Sequence, residues 1–265
     1  MSLTVTFPGK HGDVLWACPT FKALAAQHGP VKLVIAPCVE GLAPLLRQQP
    51  YLESVTVDPT WQTFDTAPMT PRIPPNPPFT AGENILHLGY DGWPSPDLPR
   101  DIARRAGVEI DLERPWIEVD GHICSPENGG VAIGFTDEHF ELKYGVTDLL
   151  LYREKFSVEV LCPPRSRWVS ELDLPATTWV ESARVIESGD VFFGCCSALH
   201  VLAVAMGKPC VIMEPAEHRH NSIFWPLGKT GRVQLVLGGD GQPTFDARHC
   251  RDVLDSVLSR KGTVV

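Results

Sequence analysis

"LTVTFPGKHGDVLWACPTFKALAAQHGPVKLVIAP", Leu3 to Pro37, is the stretch on which the fold reading turns. "LTVTF" alternates as a strand does. "ACPTFKALAAQHG" has a proline near what would be its first turn and a glycine where a helix would stop, and "VKLVIAP" is the apolar run of a buried strand. Strand, helix, strand predicts a parallel pair joined by a right-handed crossover. Between the first strand and the helix lies Gly9-Lys10-His11-Gly12-Asp13. Its glycines permit a tight turn, and a helix N-terminus offers N–H groups without intrahelical partners. On these residues alone Asp13 reads either as a helix cap or as a base that could take a proton from a hydroxyl.

The alternation continues outward. "VEGLAPLLRQQPYL" reads as a short helix, "ESVTVD" and "NILHLGY" as strands, "PDLPRDIARRAG" as a helix and "RPWIEVDG" as a strand. The proline-rich 66–78 stretch between them reads as an extended surface loop. "HICSPENGG" has the polar, glycine-bearing composition of a linker, and beyond it the pattern restarts. "GVAIGF", "SVEVLCPP", "DVFFGC" and "PCVIME" read as strands, with helices at "VTDLLLYREKF", "TWVESARVIESGD" and "SALHVLAVAMG". The expected organisation is two similar α/β halves, 1–125 and 126–265, with ligands at the carboxyl ends of the strands in a cleft between them.

Composition narrows the function classes. With 43% hydrophobic and 21% charged residues in 265, the chain has ordinary globular values. Its formal charge of -9 disfavours non-specific binding to a polyanion. The start lacks the basic and apolar regions of a signal peptide, and no apolar run is long enough to span a bilayer, so a cytoplasmic protein without transmembrane segments is expected. Eight cysteines are scattered without a CxxC pair, which excludes zinc-ribbon spacing and a thiol redox pair and suits small buried hydrophobes. Neither GxGxxG nor GxxxxGK[ST] is present.

In the second half "SGDVFFGCCSALHVLAVAMGKPCVIM" holds a strand, a small-residue turn and a helix opening at Ser197. The first amides of that helix suit a diphosphate; a capped helix packed in a sheet is the structural alternative. A reactive thiol at Cys195 or Cys196 is a weaker reading, because no partnered histidine is identifiable as its base. Downstream, "EPAEHRHNSIFWPLG" carries His218, Arg219, His220 and Asn221. Two histidines without a third ligand make a poor metal site, whereas Arg219 suits a phosphate.

These motifs, in order, resemble glycosyltransferase family nine, the lipopolysaccharide heptosyltransferase family. Its members open with a strand, a "GD" turn and an "LxxxPxxxAL" helix, as "GDVLWACPTFKAL" does here, and a later segment, "ADxxVGxDSGxxHLAAAxGKPxV", is similar to "SGDVFFGCCSALHVLAVAMGKPCVIM". The resemblance implies a GT-B fold, two Rossmann-like α/β/α domains facing across a cleft. The acceptor would lie mainly against the N-terminal domain and the nucleotide-sugar donor mainly against the C-terminal one. It implies an inverting, metal-independent glycosyltransferase with no cofactor, a nucleotide-diphosphate sugar as donor substrate, and a glycan, a lipid-linked sugar or modified DNA as hydroxyl acceptor. Asp13 matches the family's proposed general base. Lys143, Ser197, Ala198, Leu199, His200 and Arg219 are the candidates for donor binding, and Lys10, His11, Gly12, His220 and Asn221 are further cleft candidates. Two departures stand out: Cys196 and Ala198 occupy the positions of the family's "DSG" aspartate and glycine, and Val201 aligns with its histidine, His200 lying one position earlier. A nucleotide-sugar epimerase, a phage-type transferase acting on modified DNA bases, and a non-catalytic nucleotide-sugar-binding module are the alternatives.

Overall fold

A computed structural model describes residues 2–59, 84–89, 97–120, 130–134, 157–161, 177–195, 198–213, 233–235, 252–253 and 256. The chain divides into two compact units, Met1–Val119 and Asp120–Val265. Each is built on its own parallel sheet.

In unit 1 the strands are β1 (Thr4–Phe7), β2 (Val31–Ile35), β3 (Leu52–Val57) and β4 (Ile85–His87). They run parallel in the spatial order β3-β2-β1-β4. The helix α1 (His11–His28) crosses from β1 to β2, and a 3-10 turn (Pro37–Leu42) running into the short helix α2 (Ala43–Leu46) crosses from β2 to β3. The one continuous helix expected there is thus a 3-10 turn and a single α-turn. The later helix α3 (Leu98–Ala106) has Pro99 in its first turn and Gly107 just past its end. Phe7, Leu15, Phe21, Leu33 and Ile35 are fully buried, and Phe7 meets Phe21 edge-on with ring centroids 6.1 Å apart. Phe7 therefore faces α1, and its neighbour Thr6 points to the opposite face of the sheet by strand alternation.

Helix α1 starts six residues before the stretch whose composition marked a helix, so Pro19 lies in its interior rather than near its first turn. The reason is local chemistry at both places. At the start, the Lys10 N–H donates to Asp13 Oδ2 at 3.0 Å, satisfying a backbone donor outside the helix's own ladder. The reciprocal half of a capping box is missing, since a lysine side chain accepts nothing. In the interior, proline cannot give the N–H that the Leu15 carbonyl would otherwise receive. The indole N–H of Trp116 donates to that carbonyl instead, at 3.1 Å.

Trp116 belongs to the segment expected as the strand "RPWIEVDG", whose described residues, 114–120, form instead a strap with no ladder. Side chains of unit 1 take up its backbone groups. Tyr51 Oη donates to the Trp116 carbonyl at 2.7 Å. The Gln49 amide donates to the Glu118 carbonyl at 2.9 Å and accepts from the Glu118 N–H at 3.0 Å, and Lys22 Nζ donates to the Pro115 carbonyl at 3.2 Å. Backbone groups that find side-chain partners this way have no need of a sheet edge.

In unit 2 the strands are β5 (Gly130–Gly134), β6 (Ser157–Leu161), β7 (Val191–Cys195), β8 (Cys210–Met213) and β9 (Val233–Leu235), parallel in the order β6-β5-β7-β8-β9. Helix α4 (Trp179–Ser188) opens on a closed capping box. Thr178 Oγ1 accepts from the Glu181 N–H at 3.2 Å, and Glu181 Oε2 accepts from the Thr178 N–H at 2.8 Å. The Thr178 backbone bond holds the Glu181 carboxyl below its ordinary range. Helix α5 (Ala198–Ala205) is buried from Leu199 to Ala205. It ends in a Schellman motif: Gly207 takes the left-handed conformation (φ 75°), its N–H donates to the Val204 carbonyl, and the Lys208 N–H donates to the Ala203 carbonyl. Lys208 Nζ reaches back to the Glu187 carbonyl and lies 3.5 Å from the Glu187 carboxylate. The "GKP" triplet is thus explained by a helix stop, a tie to α4 and a proline that cannot continue a helix. The expected proline-rich loop, the helix at "VTDLLLYREKF" and the linker apart from Gly130, which opens β5, lie outside the described residues.

Candidate active site

Each parallel sheet reverses its strand order once. In unit 1 the chain moves from β1 outward through β2 and β3, then returns to place β4 on the other side of β1; in unit 2 the reversal lies between β5 and β7. Open parallel sheets bind ligands outside the carboxyl ends of the strands at such switch points. The two sequence segments with candidate chemistry leave those strands, β1 and β7.

At the end of β1, the candidates Lys10, His11, Gly12 and Asp13 form the first turn of α1 and the residue that caps it. Lys10 is exposed and the other three are half-buried. The hydrogen bond from Lys10 to Asp13 Oδ2 holds the carboxylate over the helix N-terminus, where the backbone dipole favours negative charge. A carboxylate oxygen has more than one lone pair, so one backbone bond orients Asp13 without exhausting it as an acceptor. Gly9 is the mould for this turn. A Cβ there would lie 2.5 Å from Asp13 Cβ, would collide with Phe7 Cε1 and would stand 3.1 Å from Phe7 Cζ. Only a residue without a side chain lets the strand end, the Phe7 ring and the acidic residue come so close.

A second polar group at this switch point gave little sign of itself in the sequence. His87, the last residue of β4, pairs in register with Thr6, and the two side chains share a 2.8 Å hydrogen bond between Thr6 Oγ1 and His87 Nδ1. Its Nε2 is buried without a hydrogen-bond partner. The only signal available was a lone ionisable residue inside the apolar run "NILHLGY".

At the end of β7 the arrangement differs. Ala198 is half-buried, whereas Leu199 and His200 are wholly buried, the His200 ring lying parallel to Phe192 with centroids 6.1 Å apart. Burial drives the His200 pKa well below its ordinary value, so the ring is neutral. The side chains of Leu199 and His200 are thus packed inside unit 2 rather than presented at its surface. Lys143, Ser197, Arg219, His220 and Asn221, together with Cys196 and the Cys195 side chain, lie outside the described residues.

Among the described residues no group of three or more His, Cys, Asp or Glu side chains could hold a metal ion. The described thiols of Cys18 and Cys210 are buried, and burial pushes Cys18 up to about 12, partly opposed by its hydrogen bond with Tyr51. No described helix is long and apolar enough to cross a membrane.

No family model and no curated protein matches the chain. Solved structures do. The E. coli ADP-heptose lipopolysaccharide heptosyltransferase II superposes with a TM-score of 0.67 at 15% identity, over 99% of this chain and 100% of that one. The glycosyl transferase family 9 protein of Veillonella parvula DSM 2008 gives 0.66 at 11% identity, over 98% and 97%. The iron-containing dodecameric glycosyltransferase TibC from enterotoxigenic E. coli H10407 gives 0.61 at 14% identity, over 98% and 78%. TibC is also known in complex with ADP-D-beta-D-heptose, and the E. coli heptosyltransferase WaaC with ADP. Superposition over nearly the whole chain supports one conclusion: this chain has the fold of the family 9 glycosyltransferases and heptosyltransferases.

Proposed function

We propose that the chain is a glycosyltransferase that moves a sugar from a nucleotide-diphosphate donor to a hydroxyl acceptor, with inversion and without a metal. The observation that carries this reading is the Asp13 carboxylate, oriented by the Lys10 N–H and the Gly9 mould at the carboxyl end of the strand where the unit 1 sheet reverses. An alcohol is a poor nucleophile until its proton has somewhere to go. As the acceptor oxygen forms its bond to the anomeric carbon, Asp13 takes the hydroxyl proton and the carbon–oxygen bond to the diphosphate breaks from the opposite side. The departing diphosphate carries the negative charge that then develops.

We assign that charge to unit 2. The opening amides of α5 at Ala198, Leu199 and His200, with Ser197, would hold the diphosphate through backbone dipoles, and Lys143 and Arg219 would supply cations, with His220 and Asn221 beside them. Cys196 and Ala198, in place of the family's acid and glycine, leave such an amide site intact because it does not depend on those side chains. The two units would form a GT-B pair across a cleft, with the acceptor, a glycan or lipid-linked sugar, on the unit 1 side and the whole working in the cytoplasm. ADP bound to WaaC and ADP-heptose bound to TibC make an adenosine diphosphate sugar the first donor to try.

The test is a thermal-shift screen of the full chain against ADP-, UDP-, GDP- and TDP-sugars, followed by detection of released nucleoside diphosphate over a panel of hydroxyl acceptors. One donor should raise the melting temperature in both the native chain and Asp13→Asn, and only the native chain should turn it over. No response to any donor, or undiminished turnover by Asp13→Asn, would overturn the proposal.

A further inference from the structure

The described residues hold one backbone repair that bears directly on Asp13. Pro19 interrupts α1 two turns into the helix, and the carbonyl it leaves without an intrahelical donor is that of Leu15, two residues after Asp13. Leu15 is fully buried, so its carbonyl has no ready access to water, and an unsatisfied buried carbonyl is costly. A proline at this point ordinarily kinks a helix. The donor that closes the gap comes from far along the chain, the indole Nε1–H of Trp116 at 3.1 Å.

Trp116 is itself rigidly held. It is 1% exposed, its ring lies against Trp16 with centroids 5.8 Å apart, its carbonyl accepts from Tyr51, and the Gln49 amide clamps Glu118 two residues on. The strap is thus a fixed point, and the direction of the first two turns of α1 follows from where its indole N–H stands. We propose that Trp116 is a positioning residue for Asp13: by donating to the carbonyl that Pro19 orphans, it sets the direction of the helix segment that carries the acid. This inference rests on the reading of Asp13 as the base, but its structural half does not require turnover.

The experiment replaces Trp116 with 3-benzothienylalanine, which keeps the fused rings and puts sulfur where the N–H was, and with Phe as a simpler variant. Each is made in the native and the Pro19→Ala background. Alanine at 19 restores the missing intrahelical N–H, so the indole donor should become dispensable there. The first readout is the amide resonance of Lys10, whose N–H bonds Asp13 Oδ2. It should shift when the indole donor is lost and return with Pro19→Ala. The second is kinetic: loss of the donor should lower kcat by about tenfold or more with the donor KM unchanged, and Pro19→Ala should recover most of the loss. A Lys10 amide that ignores the benzothienyl change overturns the proposal. So does a kinetic loss that Pro19→Ala fails to rescue, since that would be a packing effect of the ring. Should no donor be turned over at all, the function above fails while the Lys10 amide still decides this inference.

Discussion

The β1 to α1 connection of unit 1 and the β7 to α5 connection of unit 2 leave their sheets at equivalent points, each beside the strand where the spatial order reverses, yet they are made of opposite materials. The first carries a lysine, a histidine and a carboxylate in one half-exposed turn, moulded by a glycine that admits no Cβ. The second leads into a helix whose side chains are buried from Leu199 to Ala205, including a neutral histidine stacked on Phe192. A side-chain charge placed over a helix N-terminus can exchange a proton; an apolar helix has only its backbone dipole to offer, which suits a charge that must be held without being neutralised. The proposed division, proton transfer in unit 1 and anion stabilisation in unit 2, rests on this contrast.

The most direct way to break this division is at Asp13. Asp13→Asn keeps shape and removes the proposed base, and should cost about 10²- to 10⁴-fold in kcat while donor affinity holds. If donor affinity fell as well, the two connections would not be separate devices. The mould comes next. Gly9→Ala drives a methyl into the Phe7 ring and Asp13, and should lower stability by about 1–3 kcal/mol in chemical denaturation and reduce turnover too. Gly107→Ala, at a left-handed helix stop (φ 71°) with open space around it, should cost only about 1 kcal/mol and leave turnover unchanged.

On the unit 2 side the sharpest handle is His200. Its folded pKa lies well below its unfolded value near 6.5, so in acid the unfolded chain binds a proton that the folded chain refuses. Stability should therefore be present above pH 6.5 and be lost as pH falls from there toward the folded pKa, by up to about 1.4 kcal/mol per pH unit from this group. Replacing His200 by Leu should flatten that acid limb in pH-dependent melts; an unchanged slope would mean that the ring is not what titrates. The smallest effect is expected from Thr178→Ala, which opens the α4 capping box for about 1 kcal/mol with no effect on turnover.

Periodicity and punctuation made most of the fold legible. The helices over 179–188 and 198–205, and the strands β1, β2, β6 and β7, follow from apolar runs and flanking glycines that depend only on local sequence. The misread parts have a common cause. "RPWIEVDG" has a strand's composition, but Gln49, Tyr51 and Lys22, remote in sequence, take its backbone partners and keep it out of the sheet. Pro19 looks like a helix start, and becomes an interior residue because Trp116, 101 positions beyond Leu15, supplies the donor that the Leu15 carbonyl lacks. His87 is silent at the level of sequence because a single histidine in an apolar strand signals nothing until its register partner, Thr6, is known.

By itself the sequence determined that the chain is an acidic, alternating α/β protein whose glycine-flanked turns carry an acid in one half and only small residues in the other, because those features are written in residue types and short spacings. Only the tertiary structure decided that both turns leave the switch strands, that Gly9 presses against Asp13 and that a distant indole completes α1. These are outcomes of strand order and side-chain reach, which bring together atoms that no local pattern connects.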